Sequence, residues 1–402
     1  MRVLIIADYL PFPLIGGDRI RIYNLLRRVA YHNEVFLATF LEKPEDADGI
    51  HHLQEFCTRV ETVKIQQRSR LSRMPGIISY ALTGKPPELK LLYSEELIDK
   101  IQQLGSKIDF NIVQIEHSRM GLYLDAIPRN SNWKSILMFH NFTSQQYERV
   151  SHLDQSLGKK IRHWINSRTM GYWEPRYAEN FDCCTTVSVD DQHSLMKANP
   201  RLKVEVIPNG VDIVQYQQLN LPKENELPSI MFIGNMAYPP CVDAVLYFCR
   251  EIFPYIMRSN RVVDFWIVGR DPPAEVLELA GDRVHVTGRV EDVVPYYRQS
   301  TVCVVPLRAG GGTRLKILEA MALGRPVVTT TIGCEGLDVI DGVHLLIADT
   351  PEKFAEKTLS LLSDRQLSQD ICANARKLVV TKYDWNIIAD RLMQVYTELK
   401  DK

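Results

Sequence analysis

The sequence has little that would point to a secreted, membrane-spanning or nucleic-acid-binding protein. Its eight cysteines form no Cys-x-x-Cys pair, so neither a zinc site nor a disulfide framework is expected, and we interpret them as reduced thiols of a cytoplasmic protein. No run of about 18 apolar residues occurs, so no membrane-spanning helix is predicted. The formal net charge is only −1, which provides no overall positive field for nucleic acid.

The length and composition that are present favour a globular protein of two domains. At 402 residues the chain exceeds what one hydrophobic core usually supports. Hydrophobic residues make up 45% and charged residues 24%, which is ordinary for a globular protein. The apolar run near Met1 is too short for the core of a signal peptide, and we interpret it as a first strand.

In both halves, short continuous apolar runs alternate with segments whose apolar residues recur at helical spacing. Continuous runs of this kind are typical of strands buried on both faces of a parallel sheet. The predicted strands are Val3–Ala7, Val35–Phe40, Val60–Ile65, Ile112–Ile115, Ile136–Phe139 and Cys183–Val187, then a strand followed by a turn in SIMFIGNM, and Val263–Val268, Val284–Thr287, Val302–Val305, Pro326–Thr329 and Leu345–Ala348. The pattern predicts two doubly wound α/β domains.

The domain boundaries follow from breaks in this alternation. A strand after Lys203, a turn at Pro208-Asn209-Gly210 and a polar, proline-containing stretch are typical of a crossing between domains. A second break, at the sequence KYDW, precedes a last helix whose apolar residues lie on one face. We therefore predict domains over residues 1–207 and 208–384 and a terminal helix over 385–402.

The stretch from Thr301 to Thr330 contains a buried strand, a glycine run, a helix and a second buried strand. This order places backbone amides and a helix N-terminus at the edge of a parallel sheet, which suits a phosphate group. Arg314 and Lys316 fall in the first helical turn, where cations are unfavourable unless an anion is present. The predicted phosphate loop consists of Gly310, Gly311, Gly312 and Thr313.

Other candidate residues also follow predicted strands. Gly16 and Gly17 come after the first strand, but without the pattern of a dinucleotide site, and they could serve only to allow a tight turn. His140 directly follows the strand that ends in LMF, and Glu116 with His117 holds an equivalent position with weaker support. Because ligands bind at the carboxyl ends of parallel strands, we predict that His140 lines an active site.

Two stretches combine basic and apolar residues. The first runs from Gln66 to Leu92 and includes Arg68, Arg70 and Arg73; the second runs from Lys159 to Trp173. Such stretches can lie on an anionic membrane or receive a lipid acceptor. They can equally be solvated faces over an ordinary core helix, and the sequence leaves both interpretations open.

Four passages resemble the retaining, nucleotide-sugar-dependent glycosyltransferases of family 4, which have the GT-B fold and build bacterial polysaccharides. The passages are TTVSVDDQHSLM, VEVIPNGVD, VTGRVEDVVPYYRQSTVCVVPL and GGGTRLKILEAMALGRPVVTT. With PFPLIGGDRIRIYNLLRRVA near the start, the resemblance covers nearly the whole chain. The chain is most similar to the subgroup whose phosphate loop contains GGGTRLK.

The resemblance implies two Rossmann-like domains that face a cleft, with the acceptor on the N-terminal side and residues 385–402 packed back on that side. It implies transfer with retention to a hydroxyl of a glycan or lipid-linked acceptor, without a cofactor or metal, at the cytoplasmic side of a membrane. Glu319 would bind the donor ribose, and Arg314 and Lys316 would stabilise the leaving diphosphate. His140 would contact the sugar.

Two departures from the family pattern stand out. Gly311 occupies the position of a glutamate that contacts the donor sugar, and Asn235 replaces an arginine after the first strand of the second domain. Arg289 is a further candidate for the base or diphosphate. Two alternatives stay open. The departures favour a non-catalytic subunit that binds nucleotide-sugar, whereas a nucleotide-sugar epimerase would need carboxylates for proton abstraction, and the missing carboxylate at Gly311 does not favour it.

Overall fold

The computed structural model describes residues 1–42, 44–65, 85–128, 133–153, 156–223, 227–259, 262–311 and 314–401. The chain forms two compact units. The first takes in most residues before Asn209 together with those from Ile388 onward, and the second holds nearly all residues from Asn209 to Ile387. The predicted basic residues Arg68, Arg70 and Arg73, and the loop residues Gly312 and Thr313, lie outside the described residues.

The first unit is built on a parallel sheet of seven strands in the order β3-β2-β1-β4-β5-β6-β7. Ile5 of β1 pairs with Leu37 of β2 on one side and with Gln114 of β4 on the other, so the strand order reverses between β1 and β4. Such a reversal opens a crevice at the carboxyl ends of the strands. The strands are β1 Arg2–Ala7, β2 Glu34–Leu41, β3 Arg59–Lys64, β4 Ile112–Glu116, β5 Lys134–Met138, β6 Cys183–Thr186 and β7 Val204–Val206.

Helices pack on this sheet through their apolar faces. In the first helix Ile22, Leu25, Leu26 and Val29 are buried, as their spacing predicts. The α-helices are α1 Gly17–Ala30, α2 Asp48–Gln54, α3 Glu95–Lys107, α4 Thr143–Leu153, α5 Leu157–Tyr177 and α6 Val189–Ala198, and shorter 3-10 segments span Pro44–Ala47, Pro87–Leu92, Ser118–Ala126 and Ala178–Asn180.

The second unit has a parallel sheet of six strands in the order β10-β9-β8-β11-β12-β13, with its reversal between β8 and β11. Its strands are β8 Ser229–Ile233, β9 Asp264–Val268, β10 Val284–Gly288, β11 Val302–Val305, β12 Val327–Thr329 and β13 Leu346–Ile347. Its helices are α7 Pro239–Tyr247, α8 Phe253–Met257, α9 Ala274–Leu277, α10 Val294–Gln299, α11 Leu315–Ala322, α12 Pro351–Ser363 and α13 Arg365–Leu378, with a 3-10 turn at Ile332–Cys334 and a π-helical turn at Val379–Tyr383.

One helix differs from its prediction. The pattern predicts a single helix from Val242 to Met257, but α7 begins at Pro239 and passes through a π-helical turn, Phe248–Ile252, before α8. Pro254 has no N–H to continue the α-helical ladder, and a wider turn before it relieves the clash of its ring with the preceding backbone. All predicted strands are present, with ends that differ by at most two residues.

The last helix, α14, spans Trp385–Lys400. Its predicted apolar face is confirmed, since Trp385, Ile388, Leu392 and Val395 are buried. From Ile388 onward its residues belong to the first unit, where the hydroxyl of Tyr396 donates a hydrogen bond to the side-chain oxygen of Gln114. The terminal residues are therefore part of the core around β4.

Candidate functional site

Polar side chains meet at the carboxyl ends of β1, β4 and β5, where the first sheet reverses. His140 Nε2 lies 2.6 Å from Glu116 Oε2, and His117 Nδ1 lies 3.2 Å from Asp8 Oδ1. The two imidazole ring centres are 3.8 Å apart. Asp18, in the first turn of α1, places its carboxylate 3.6 Å from His140 Nδ1. We call these five residues the histidine cluster.

A second layer of hydrogen bonds holds this cluster in place. Arg119 Nε donates to Asp8 Oδ2 at 2.8 Å, and Gln114 Nε2 donates to Glu116 Oε1 at 2.5 Å. Ser118, next along the chain from His117, donates to the buried Glu174 of α5. The carboxylates are thus fixed by groups from several elements, which is how a preorganised site is built.

The electrostatics give the two histidines different protonation behaviour. Burial alone would lower the pKa of His140, but the neighbouring carboxylates of Asp18 and Glu116 outweigh burial and raise it. Burial dominates for His117, whose pKa is lowered. Asp8 keeps a pKa of about 2 despite its burial, because His117 and Arg119 stabilise its charged form. His140 is therefore the better proton carrier of the pair.

Among the described residues, a group of three side chains has the chemistry to hold a metal ion. One ligand atom each from Asp18, His117 and His140 lie within 4.8 Å of one another. The other ring nitrogens of both histidines bond to carboxylates, an arrangement that also orients metal-binding histidines. The same atoms can equally hold the hydroxyl groups of a sugar, since carboxylate and imidazole bond to both.

The predicted glycine pair leads into the histidine cluster. Gly16 precedes α1 with a φ of 101°, a conformation that favours glycine, and Gly17 is the first residue of the helix. This turn sets Asp18 opposite His140. The backbone conformation alone accounts for Gly16, so a donor contact at the pair stays a prediction.

In the second unit, the predicted phosphate loop follows β11, at the reversal of that sheet. Gly310 has a φ of 128°, and a Cβ atom there would lie 2.9 Å from a guanidinium nitrogen of Arg314. Arg314 is buried, stands at the N-cap of α11 and donates a hydrogen bond to the carbonyl of Gly311. The glycine thus allows the guanidinium to pack against the loop.

Lys316 is the second residue of α11. Its ammonium nitrogen is 3.7 Å from Cys241 Sγ and 4.2 Å from the ring centre of Phe232. A Cβ atom on Gly234, directly after β8, would lie 3.0 Å from the same nitrogen. Burial lowers the pKa of Lys316, and the positive charge of Arg314 adds to this effect. An anion placed between the two cations would relieve their repulsion.

Glu319 follows on the same helix, three residues after Lys316. Its Oε2 accepts a long hydrogen bond of 3.4 Å from the buried hydroxyl of Tyr297, and burial raises its pKa. Their spacing of three residues would also allow Glu319 to form an ion pair with Lys316 along the helix. The position of the Lys316 ammonium beside Cys241 does not match that pair. We call Gly310, Gly311, Arg314, Lys316 and Glu319 the glycine-loop cluster.

The two remaining predicted residues have different surroundings. Asn235 closes the turn after β8, where its Oδ1 accepts from the amide of Ala237 at 3.0 Å. Arg289 is exposed after β10, two strands away from β8 in the sheet. The structure therefore brings Asn235 near the glycine-loop cluster through Gly234, which lies beside Lys316. A donor contact at Arg289 stays a prediction.

Several site residues were missed by the sequence reasoning. Asp8 follows the first strand directly and Asp18 follows the glycine pair, so both could have been found by the rule that identified His140. Arg119 and Tyr297 have no sequence signal, because their roles depend on contacts with Asp8 and Glu319, more than twenty residues away in the chain.

Comparisons with known proteins agree in both halves. Residues 15–215 match the family model "Glycosyltransferase Family 4", and residues 227–364 match "Glycosyl transferases group 1". An uncharacterised 44.6 kDa protein of the cps region of Klebsiella pneumoniae is 22% identical over 95% of this chain and 96% of its own length. The phosphatidyl-myo-inositol mannosyltransferase of Mycobacterium leprae is 27% identical over 47% of this chain and 52% of its own length.

A solved structure shares the fold. Anabaena Alr3699/HepE in complex with UDP-glucose superposes with a TM-score of 0.69 at 16% identity, covering 98% of this chain and 99% of that one. In the part of this chain that the structure describes, no helix combines the length and apolar character needed to cross a bilayer.

Proposed function

We propose that this chain, which belongs to glycosyltransferase family 4, transfers a sugar from a nucleotide-diphosphate donor to a hydroxyl group of an acceptor. Its two parallel-sheet α/β units have the GT-B fold that the resemblance implied, so the predicted fold is confirmed. The observation that carries the proposal is the glycine-loop cluster, in which two cations and a half-buried carboxylate adjoin the start of α11.

We assign the donor diphosphate to the loop of Gly310 and Gly311 and the start of α11. Backbone amides, the helix N-terminus, Arg314 and Lys316 provide preorganised positive potential for the charge that develops on the leaving group. These groups supply the neutralisation that a divalent metal gives in other transferases. We therefore propose that transfer requires no metal.

The nucleoside end is assigned to Glu319. An ionised carboxylate offers two acceptor oxygens and suits the vicinal hydroxyls of a ribose. A ribose hydroxyl would also stabilise the charged form of Glu319, whose pKa is raised by burial. Asn235 and Arg289 remain proposals for additional donor contacts.

In the first unit we assign His140, with Gly16 and Gly17, to the sugar. The two carboxylates beside His140 favour its protonated form, which donates to a sugar oxygen. We propose front-face transfer with retention, in which the leaving diphosphate takes the acceptor proton and no protein nucleophile is needed. Correct placement of the two substrates then supplies much of the rate.

The proposed acceptor is a glycan, most simply one linked to a lipid. The mycobacterial relative that matches about half of this chain is named for phosphatidyl-myo-inositol, which is a lipid. We accordingly propose that this chain works in peripheral contact with a membrane surface.

The test is release of nucleoside diphosphate from a panel of nucleotide-sugars, with and without acceptor extracted from membranes. Release that depends on acceptor, with an anomeric configuration in the product that matches the donor by NMR, supports the proposal. Isomerised donor without release would instead identify an epimerase. Tight donor binding with no release from any donor would identify a non-catalytic subunit.

A further inference from the structure

Helix α5 presents a row of apolar side chains to solvent. Leu157, Ile161, Trp164, Ile165 and Tyr172 are between 42% and 73% exposed. Their spacing along α5 places them on one face, because residues three, four and seven apart lie on the same side of an α-helix. We call these five residues the apolar stripe.

The other side of α5 is fixed to the first unit. Met170, Trp173 and Glu174 are buried, and Glu174 accepts a hydrogen bond from Ser118, the neighbour of His117. The stripe is therefore not a core face that has lost its partner, since the helix already has a packed face. It is a second apolar surface, on a helix that is hydrogen-bonded to the neighbour of His117.

The charged side chains of α5 along the stripe all have the same sign. The sequence from Leu157 to Trp173 contains the basic residues Lys159, Lys160, Arg162 and Arg168 and no acidic residue. The guanidinium of Arg168 lies 5.9 Å from the ring centre of Trp164, so cation and apolar surface are adjacent. An exposed apolar row with flanking cations is the pattern of a helix that lies in a membrane interface.

We propose that the apolar stripe of α5 binds the surface of an anionic lipid bilayer. The apolar side chains would enter the boundary between head groups and acyl chains, and the flanking lysines and arginines would bind the acidic head groups. A second copy of this chain is a poorer partner, because pairing the two faces would bring together Lys160, Arg162 and Arg168 from each copy, six like charges without an acidic residue of α5 between them.

Membrane binding by the apolar stripe adds a partner to the proposed function. It rests on that function in one respect, since it assumes that the acceptor is linked to a lipid. A lipid-linked acceptor keeps its tail in the bilayer and exposes its glycan at the surface. Because Glu174 of α5 is bonded to Ser118, a bilayer bound by α5 presents that glycan to the element that carries His117. The binding itself requires no catalysis and can be measured separately.

The experiment is cosedimentation of the full chain with phosphatidylcholine vesicles, with and without phosphatidylglycerol. The unaltered chain should bind only the anionic vesicles, and more weakly at high salt. K160S/R162S, which alters the two exposed cations on either side of the stripe, should weaken binding on the order of 30-fold, from about fivefold for each basic residue near the surface. I161S/W164S should also weaken it, whereas Y31S, which alters an 84% exposed residue of the same unit, should not.

Equal vesicle binding by the unaltered chain and both α5 variants would overturn the inference. So would a dimer, detected by sedimentation velocity, that I161S/W164S abolishes while vesicles are not bound. Turnover with a water-soluble acceptor should be unchanged in both variants, which also shows that they fold. Vesicle binding that depends on α5 in a chain without transferase activity would leave this inference intact and refute the proposed function.

Discussion

Replacing Lys316 by methionine should separate function from stability. We propose that its ammonium contributes a charge-assisted hydrogen bond to the donor diphosphate. Such bonds contribute about 1.5–3 kcal/mol, so K316M should weaken nucleoside diphosphate binding by about 10- to 150-fold. Methionine keeps the length of the stem beside Phe232 and Cys241 while removing the charge.

The same change should not lower the stability of the free chain. Burial lowers the pKa of Lys316, which means that the fold disfavours its charged form. The resulting penalty is present below the pKa in the folded chain and disappears above the pKa in the unfolded chain. K316M should therefore be at least as stable as the unaltered protein at neutral pH, and this advantage should shrink at alkaline pH.

Isothermal titration calorimetry against a panel of nucleoside diphosphates measures the first effect, and urea unfolding measures the second. The affinity of the unaltered chain for the nucleoside diphosphate should fall as pH rises through the pKa of Lys316. The affinity of K316M should show no such fall. The matched control is K353M, in the exposed first turn of α12. If K316M binds as tightly as the unaltered chain and unfolds more easily, Lys316 is a structural residue and the diphosphate assignment is wrong.

Three further outcomes are expected. E319Q should weaken nucleoside diphosphate binding by about 1–3 kcal/mol but leave the affinity for a dideoxyribose analogue unchanged. Equal losses of affinity for both ligands would show that Glu319 does not contact the ribose. D8N should lower the free energy of unfolding by about 2 kcal/mol at neutral pH, because Asp8 has a pKa of about 2 against an ordinary 3.8. That difference should vanish as pH falls from about 4 towards 2, and a pH-independent difference in urea titrations would contradict the charge-based explanation. Treatment with EDTA should leave turnover unchanged, whereas a loss restored by a divalent ion would show that the chain needs a metal.

The fold was accessible from the sequence because its strands are buried on both faces. Runs such as Val302–Val305 must be continuously apolar to lie between two helical layers, and this pattern can be recognised in the sequence alone. The rule that ligands bind at carboxyl strand ends then located His140 and the glycine run. The π-helical turn at Phe248–Ile252 was missed because helical periodicity is nearly unchanged across a single wide turn.

The surroundings of the site residues were not accessible in the same way. That His140 lies between Glu116 and Asp18 depends on three separate elements meeting at one sheet edge. The hydroxyl of Tyr297 reaches Glu319 from another helix, and Cys241 reaches Lys316 from a third. Such contacts join residues that are distant in the chain, so the spacing of residues along the sequence does not predict them.

The most direct test of the donor site is a crystal structure of the chain with a nucleoside diphosphate bound. We expect the diphosphate to lie against Gly310 and Gly311 at the start of α11, with Arg314 and Lys316 beside it. We expect the ribose hydroxyls within hydrogen-bonding distance of Glu319. A nucleotide bound elsewhere, or one bound at α11 with its ribose away from Glu319, would contradict the assignment.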